Sequence, residues 1–517
     1  MPSVASYTLT GDPYIDSLLG ESKWGVSSFT YSFPSSGSYY GSGYGSGEPG
    51  NNFQSLNSTQ QAAVHSSLSM YASVVNLTFS EITETNSQHA DLRFGMSDEP
   101  STAWAYFPST APEGGDSWYN NKSGWYDNPV KGNYANSTFI HEIGHALGLE
   151  HPQSGNVMPL DRDSLEYSVM SYRSYLGASL TGGYTNETWG FPQSLMMYDI
   201  AALQHLYGPN YGTNSGNTTY SWSPTTGEMF IDGGGQGAPG ANRIFLTVWD
   251  GGGVDTYDFS NYTTDLNVNL GPGEWTTTSS VQLAKLHYNG SQVATGNIAN
   301  ALLFNDDPRA LIENAKAGTG HDVILGNSAA NNLWGLSGND ELHGDLGNDA
   351  LFGQAGHDQL YGDDGNDRLV GGNGSDDLFG GNGNDRLLGG QGKDYLYGEA
   401  GKDILIGGPG ADLLDGGDGS DKFVFRSVQQ SKPGVRDTIQ DFESGIDKID
   451  LRSIDADITM AGNQAFIFIA GAQFSDAPGE LNFINNTLSG DTDGDGIADL
   501  EIYLAGASTL FETDILL

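Results

Sequence analysis

Residues 141–151 read HEIGHALGLEH and bring together side chains that can bind a divalent metal and move a proton. His141 and His145 are four apart, so on a helix they sit one above the other on one face. Two imidazoles at that separation can grip one Zn²⁺. Glu142 stands beside them, placed to take a proton from a water that the metal activates. Gly148 can end the helix in a left-handed conformation that other residues resist. The chain can then turn back and offer His151 as a third nitrogen ligand. Three of the ten histidines fall within these eleven residues. A bare HExxH occurs in ordinary helices, but the added Gly148 and His151 make an ordinary helix a poor account of the segment.

A second element follows at a suitable distance. Residues 167–172 read YSVMSY, with Met170 at a turn and Tyr172 two residues on. These residues need a scaffold. ADLRFG (90–95) and AWAYF (103–107) read as strands, and Leu195 to Tyr207 reads as a helix ending ahead of Gly208 and Pro209. Asp199 and His205 lie in that helix and read as structural.

The long pattern HExxHxxGxxHP, complete through Pro152 and followed by the Met170 turn, is the metzincin signature. The chain resembles the serralysin family of secreted bacterial zinc endopeptidases. GDPYIDSLLG (11–20), TYSFP (30–34), AYFPS (105–109) and DIAALQHLYG (199–208) look like serralysin segments too. The resemblance implies zinc ligation by His141, His145 and His151, with Glu142 as general base. It implies that Tyr172 binds the zinc in the resting enzyme and swings away when substrate enters. Met170 would be an apolar floor, not a ligand. The strand at 103–107 would border the cleft and pair with extended substrate; an ordinary edge strand is the plainer alternative.

Composition bounds the rest. A chain of 517 residues predicts two or three domains. The formal charge of −44 disfavours nucleic acid and anionic membranes as partners. No run approaches eighteen apolar residues, so no membrane-spanning helix is expected. With no cysteine, no disulfide staples the fold, and bound metal is the natural substitute. The N-terminus lacks the basic start and apolar core of a Sec signal peptide.

From Ala317 to Val424 the chain repeats every nine residues without a gap, in twelve units of the form GGxGxDxUx, where U is large and apolar. The sixth positions are Asp322, Asn331, Asp340, Asp349, Asp358, Asp367, Asp376, Asp385, Asp394, Asp403, Asp412 and Asp421; the eighth run from Ile324 through Leu414 to Phe423. The nonapeptide is identified as the RTX repeat of a calcium-binding parallel β-roll. Glycine-rich turns alternate with three-residue strands whose single inward side chain fills the core. Stacked turns bring the carboxylates into rows that would repel unless Ca²⁺ lies between them. A flexible Gly/Asp linker would not keep one apolar residue in phase twelve times. The unit GNSAANNLW (326–334), with Asn331 for Asp, is expected to bind calcium weakly or not at all.

Residues 210–240 look like a connecting loop region. In TVWDGGGVDTYDFS (247–260), Asp250, Gly252 and Asp255 resemble family calcium ligands at a domain junction, against a plain turn. DTIQDFESGIDKIDL (437–451) alternates enough to form strands. DTDGDGIADLEI (491–502) begins like an EF-hand loop but has Ile502 where position twelve needs Glu, so a strand–turn–strand with optional calcium reads better. The closing Asp514, Ile515, Leu516 and Leu517 resemble the uncleaved signal of type I secretion.

The expected architecture is an α+β metzincin catalytic domain followed by an all-β parallel β-roll (RTX) domain. Expected boundaries are 1–225 (catalytic), 226–316 (junction), 317–424 (calcium roll) and 425–517 (C-terminal β region). The expected function is a secreted, extracellular zinc endopeptidase with one catalytic Zn²⁺ and several structural Ca²⁺. Expected partners are protein or peptide substrates, the type I secretion machinery and a proteinaceous inhibitor, with the chain itself a monomer. The competing class is a non-enzymatic RTX adhesin or surface-binding protein with a vestigial zinc site.

Overall fold

A computed structural model describes residues 2–517. The chain packs as two compact units, one of Met1–Asp255 with Pro272–Ile312, the other of Thr256–Gly271 with Glu313–Leu517.

In the first unit, a sheet lies beside the helices α1 (Pro13–Asp16), α2 (Ser58–Val74), α3 (Tyr134–Ala146) and α4 (Met197–Tyr207). Its strands run Thr78–Glu81, Ser28–Ser32, Leu92–Ser97, Ser117–Asn120 and Ala103–Ala105 in spatial order. The first four pair in parallel, and Ala103–Ala105 closes the sheet antiparallel to Ser117–Asn120, with Trp104 opposite Trp118. Helix α2 begins at a reciprocal cap: Asn57 Oδ1 accepts from Thr59 and Gln60, and Gln60 Oε1 accepts from the Asn57 N–H. The core between sheet and helices is aromatic, with Trp24, Tyr71, Phe94, Tyr119 and Phe139 buried. Each such ring removes a large apolar area from water, so this core rather than helix propensity fixes α3.

The loop expected over 210–240 instead contains an antiparallel pair, Thr219–Trp222 with Met229–Ile231. Tyr220 and Trp222 alternate inward and are buried; the Gly, Ser and Asn around them masked that period-two signal. This pair packs within the first unit, so the expected boundary at 225 falls inside that unit.

The second unit is the parallel β-roll. Strands pair in parallel with the strand eighteen residues on, so alternate nonapeptides feed two facing sheets. Every eighth-position side chain from Ile324 to Phe423 is fully buried between them. The ladder reaches past the repeats, from Thr256–Asp258 on Asn314–Lys316 at one end to Lys448–Asp450 on Ile515–Leu516 at the other. Pairing also runs through the turns, as at Gly381 with Glu399 and Asn382 with Ala400, so several strands exceed the expected three residues. Thr487–Asp491 and Leu500–Leu504 form the expected strand–turn–strand. Among the described residues no helix is long and apolar enough to cross a membrane.

Candidate active site

Helix α3 starts where Asn133 Oδ1 accepts from the Asn136 N–H, 2.9 Å. It ends at Gly148, whose φ of +104° turns the chain back. A side chain there would also meet the Ser22 carbonyl oxygen, its Cβ 2.9 Å away. The return brings His151 over α3. The Nε2 atoms of His141, His145 and His151 stand 2.9–3.2 Å apart. His141 Nδ1 lies 2.8 Å from the Val169 carbonyl oxygen and His145 Nδ1 2.7 Å from that of Leu149. Those carbonyls accept, so each Nδ1 carries the proton and each Nε2 presents a lone pair.

Lone pairs converging at this distance repel unless a cation sits among them. Tetrahedral Zn²⁺ with bonds of about 2.0–2.1 Å needs nitrogens about 3.3 Å apart, so the triad fits that ion. Burial and the neighbouring His151 hold His141 down to about 3, and burial with both neighbours holds His145 well below the usual imidazole range. Both rings are therefore neutral, the form a metal needs.

Glu142 is buried, and its Oε2 has no hydrogen-bond partner. Burial pushes its carboxyl up to about 8, against the lowering effect of a bond from the Ala105 backbone on the edge strand. It shares a small cleft with Ala103, His141, Val169, Tyr172 and Tyr184. The Tyr172 ring lies 4.3 Å from the His151 ring and is 43% exposed. Burial and the Glu142 charge push its phenol up to about 12. Met170 is fully buried beneath, against Gly144; a Cβ at Gly144 would lie 2.7 Å from Met170 Sδ and 3.0 Å from the Tyr71 hydroxyl oxygen.

The family model described as "Peptidase M10 serralysin C terminal" matches residues 209–517, and the one described as "Matrixin" matches residues 50–165. The chain belongs to the serralysin family. It is 35% identical over 296 residues to Serralysin C of Dickeya chrysanthemi, covering 54% of this chain and 55% of the relative. It is 33% identical over 295 residues to Metallopeptidase AprA of Pseudomonas marginalis, covering 54% and 56%. Serralysin of Photorhabdus luminescens is 33% identical over 300 residues, covering 54% and 55%. The chain spans about half the length of these curated relatives.

Within this serralysin scaffold, Asp199 Oδ2 accepts from the Met196 and Val169 N–H groups and Oδ1 from the Ser168 hydroxyl, 2.6–2.8 Å. It caps α4 and fixes the turn carrying Met170. Burial raises it to about 6 despite these donors. His205 Nε2 lies 2.6 Å from the Thr8 carbonyl oxygen, a structural contact. Sequence reasoning missed Glu48, which is fully buried and accepts from Trp104 Nε1 at 3.1 Å and the Tyr106 hydroxyl at 2.5 Å. It ties a glycine-rich loop to the edge strand; no local motif marks it.

Asp250 and Asp255 are buried together, with burial raising both carboxyls. Asp250 Oδ1 accepts from the Gly252 N–H at 2.7 Å, and Asp255 Oδ1 from the Thr218 N–H at 2.7 Å. In the roll, each sixth-position Asp turns Oδ1 to the backbone N–H of the sixth residue eighteen earlier, as in Asp358 to Asp340 at 2.9 Å. The Oδ2 atoms of Asp340, Asp349, Asp358, Asp367, Asp376, Asp385, Asp394, Asp403 and Asp412 are buried without a partner. Burial pushes most of these carboxyls up to about 6 or 7. Two rows of orphaned carboxylate oxygens fit a hard divalent cation.

The first rung of each row differs. Asp322 has both oxygens engaged, by the Leu266 N–H at 2.7 Å and the Gly318 N–H at 2.9 Å. Asn331 donates from Nδ2 to the Glu313 carbonyl oxygen at 2.7 Å and accepts from the Asn327 N–H at 2.8 Å. An amide nitrogen there closes the rung by itself.

Proposed function

We propose that the chain is a secreted zinc endopeptidase whose roll is stabilised by calcium. One observation carries the reading: three histidine lone pairs converge beside the buried Glu142, whose Oε2 is unpartnered. His141, His145 and His151 would hold the zinc, which when bound polarises a peptide carbonyl and lowers the pKa of water. Glu142 accepts the proton of the attacking water and hands it to the leaving amine. A dication beside it offsets the burial that otherwise keeps Glu142 protonated. Tyr172, exposed and hinged beside His151, donates to the oxyanion that develops on the substrate.

The edge strand Ala103–Ala105 favours an extended polypeptide, which adds to the sheet by backbone hydrogen bonds and so is read largely without regard to side chain. Substrates are therefore proteins and peptides in extended form, met outside the cell by a secreted enzyme. The orphaned Asp Oδ2 rows support calcium as the structural ion, with Asp340 to Asp421 as ligands in the roll and Asp250, Gly252 and Asp255 as a further site; Asp322, also expected among the ligands, has both oxygens engaged by backbone N–H groups. Folding that waits for calcium suits export in the unfolded state by a type I machinery, with an inhibitor protein as the partner that blocks the cleft. The test is casein hydrolysis alongside a zinc count. Stripping the zinc is expected to abolish hydrolysis and adding Zn²⁺ to restore it. Hydrolysis that persists in protein shown to be zinc-free would overturn the reading.

A further inference from the structure

We propose that Asp163 and Arg173 form a rigid cradle that positions Tyr172 for turnover, a role that rests on the peptidase function proposed above. Asp163 is 1% exposed and takes three side-chain donors. Its Oδ1 accepts from the Ser171 hydroxyl at 2.7 Å and from Gln153 Nε2, and its Oδ2 from Arg173 Nε at 2.9 Å. Ser171 and Arg173 are the two neighbours of Tyr172 in the chain. Gln153 lies two residues after His151 and also reaches the Ser171 hydroxyl oxygen at 3.1 Å. One buried carboxylate thus joins the loop of the third histidine to both flanks of the tyrosine.

The backbone is held as well. The Tyr184 hydroxyl donates to the Ser171 carbonyl at 2.9 Å, and the Leu165 N–H to the Arg173 carbonyl at 2.9 Å. Arg173 also donates from a terminal nitrogen to the Ala178 carbonyl. The Tyr172 ring, by contrast, is 43% exposed. With its backbone held and its ring half-exposed beside His151, Tyr172 moves by rotation about its side-chain bonds. A buried ion pair is a poor source of stability, because desolvation offsets the attraction. What it supplies here is geometry: a guanidinium held by the Asp163 carboxylate through Nε and by the Ala178 carbonyl through a terminal nitrogen has far less freedom than apolar packing of the same volume.

The test is a double-mutant cycle on the zinc-loaded full-length chain, with kcat and KM measured on a peptide. Tyr172→Phe lowers kcat, as loss of a donor acting only in the transition state requires. Arg173→Gln is expected to lower kcat about tenfold, with KM changed less than about twofold and zinc content and circular dichroism preserved. In the Tyr172→Phe background the same substitution is expected to cost less than about twofold, because the residue through which it acts is already disabled. A merely structural role would give effects that multiply, and that result would overturn the proposal. Should Arg173→Gln lose the folded spectrum, Ser171→Ala removes one hydroxyl from the cradle and completes the same cycle. An inactive wild-type chain with zinc bound would overturn the peptidase reading itself, whereas an active chain with multiplying effects would overturn only the positioning role.

Discussion

Glu142→Ala is expected to keep one zinc bound and to lose about 10²–10⁴-fold in kcat, the usual size of general-base removal. The two halves of that result have separate causes. The three Nε2 atoms converge without help from Glu142, and the carbonyls of Val169 and Leu149 orient two of the rings. Zinc affinity should therefore survive. The proton, however, has nowhere else to go: Glu142 carries the unpartnered buried carboxylate oxygen in the cleft. Elemental analysis and peptide turnover on one preparation read both halves. A variant with one zinc and more than half the wild-type activity would sink the mechanism.

Calcium removal is expected to unfold the second unit while the zinc site persists. Residues 317–424 carry 19 Asp and Glu against five Lys and Arg. Each unit offers one apolar side chain to the core, worth about 1.5–3 kcal/mol when buried. Against this stand rows of buried carboxylates that burial already resists ionising. An unfolded Asp titrates near 3.9, whereas Asp340, Asp349 and Asp394 titrate at about 7 in the fold. The folded roll therefore binds more protons than the unfolded chain between those values, and its stability falls as pH rises through that window. In calcium-free buffer, β-structure should be lost at pH 8 and partly recover as the pH is lowered toward about 4. Excess Ca²⁺ should restore it at pH 8. A circular dichroism spectrum at pH 8 that ignores the absence of calcium, verified by elemental analysis, would refute the ion's role.

Much of this was legible in the sequence because its signals are local. The spacing of His141, His145 and His151 needs only one helix and one turn to become a triad. The roll's register follows from an apolar residue every nine positions, since a slip by one would turn Leu351 or Leu360 to solvent. What stayed hidden depends on distant partners. Glu48 meets Trp104 and Tyr106 across more than fifty residues of chain. The pair of strands at 219–231 is short, and its inward Tyr220 and Trp222 sit among residues that ordinarily mark loops. Asp163 and Arg173 carried no signal, because nothing in LDRDSLEYSVMSYR reveals that the two side chains turn inward to meet. Residues 272–312 return to pack with the first unit, and no composition shift marks that return.

Closed rungs stand at both ends of the rows: Asp322 and Asn331 at one end, and at the other Asp447, whose Oδ1 accepts from the Asp421 N–H at 3.0 Å and Oδ2 from the Glu443 N–H at 2.8 Å. A one-dimensional array grows by adding neighbours to whatever is already formed, and the costly event is the first turn. Here turns at both ends are stitched by protein hydrogen bonds, so the ends can cap rows whose middle waits for the ion. At limiting calcium, amide exchange should slow first at the ends, in Asn332–Ser337 and Lys422–Val424, and last in the middle, in Asp377–Gly383. A chain emerging unfolded into a calcium-rich medium would then carry its own end caps, and only the rows between them would wait for the ion.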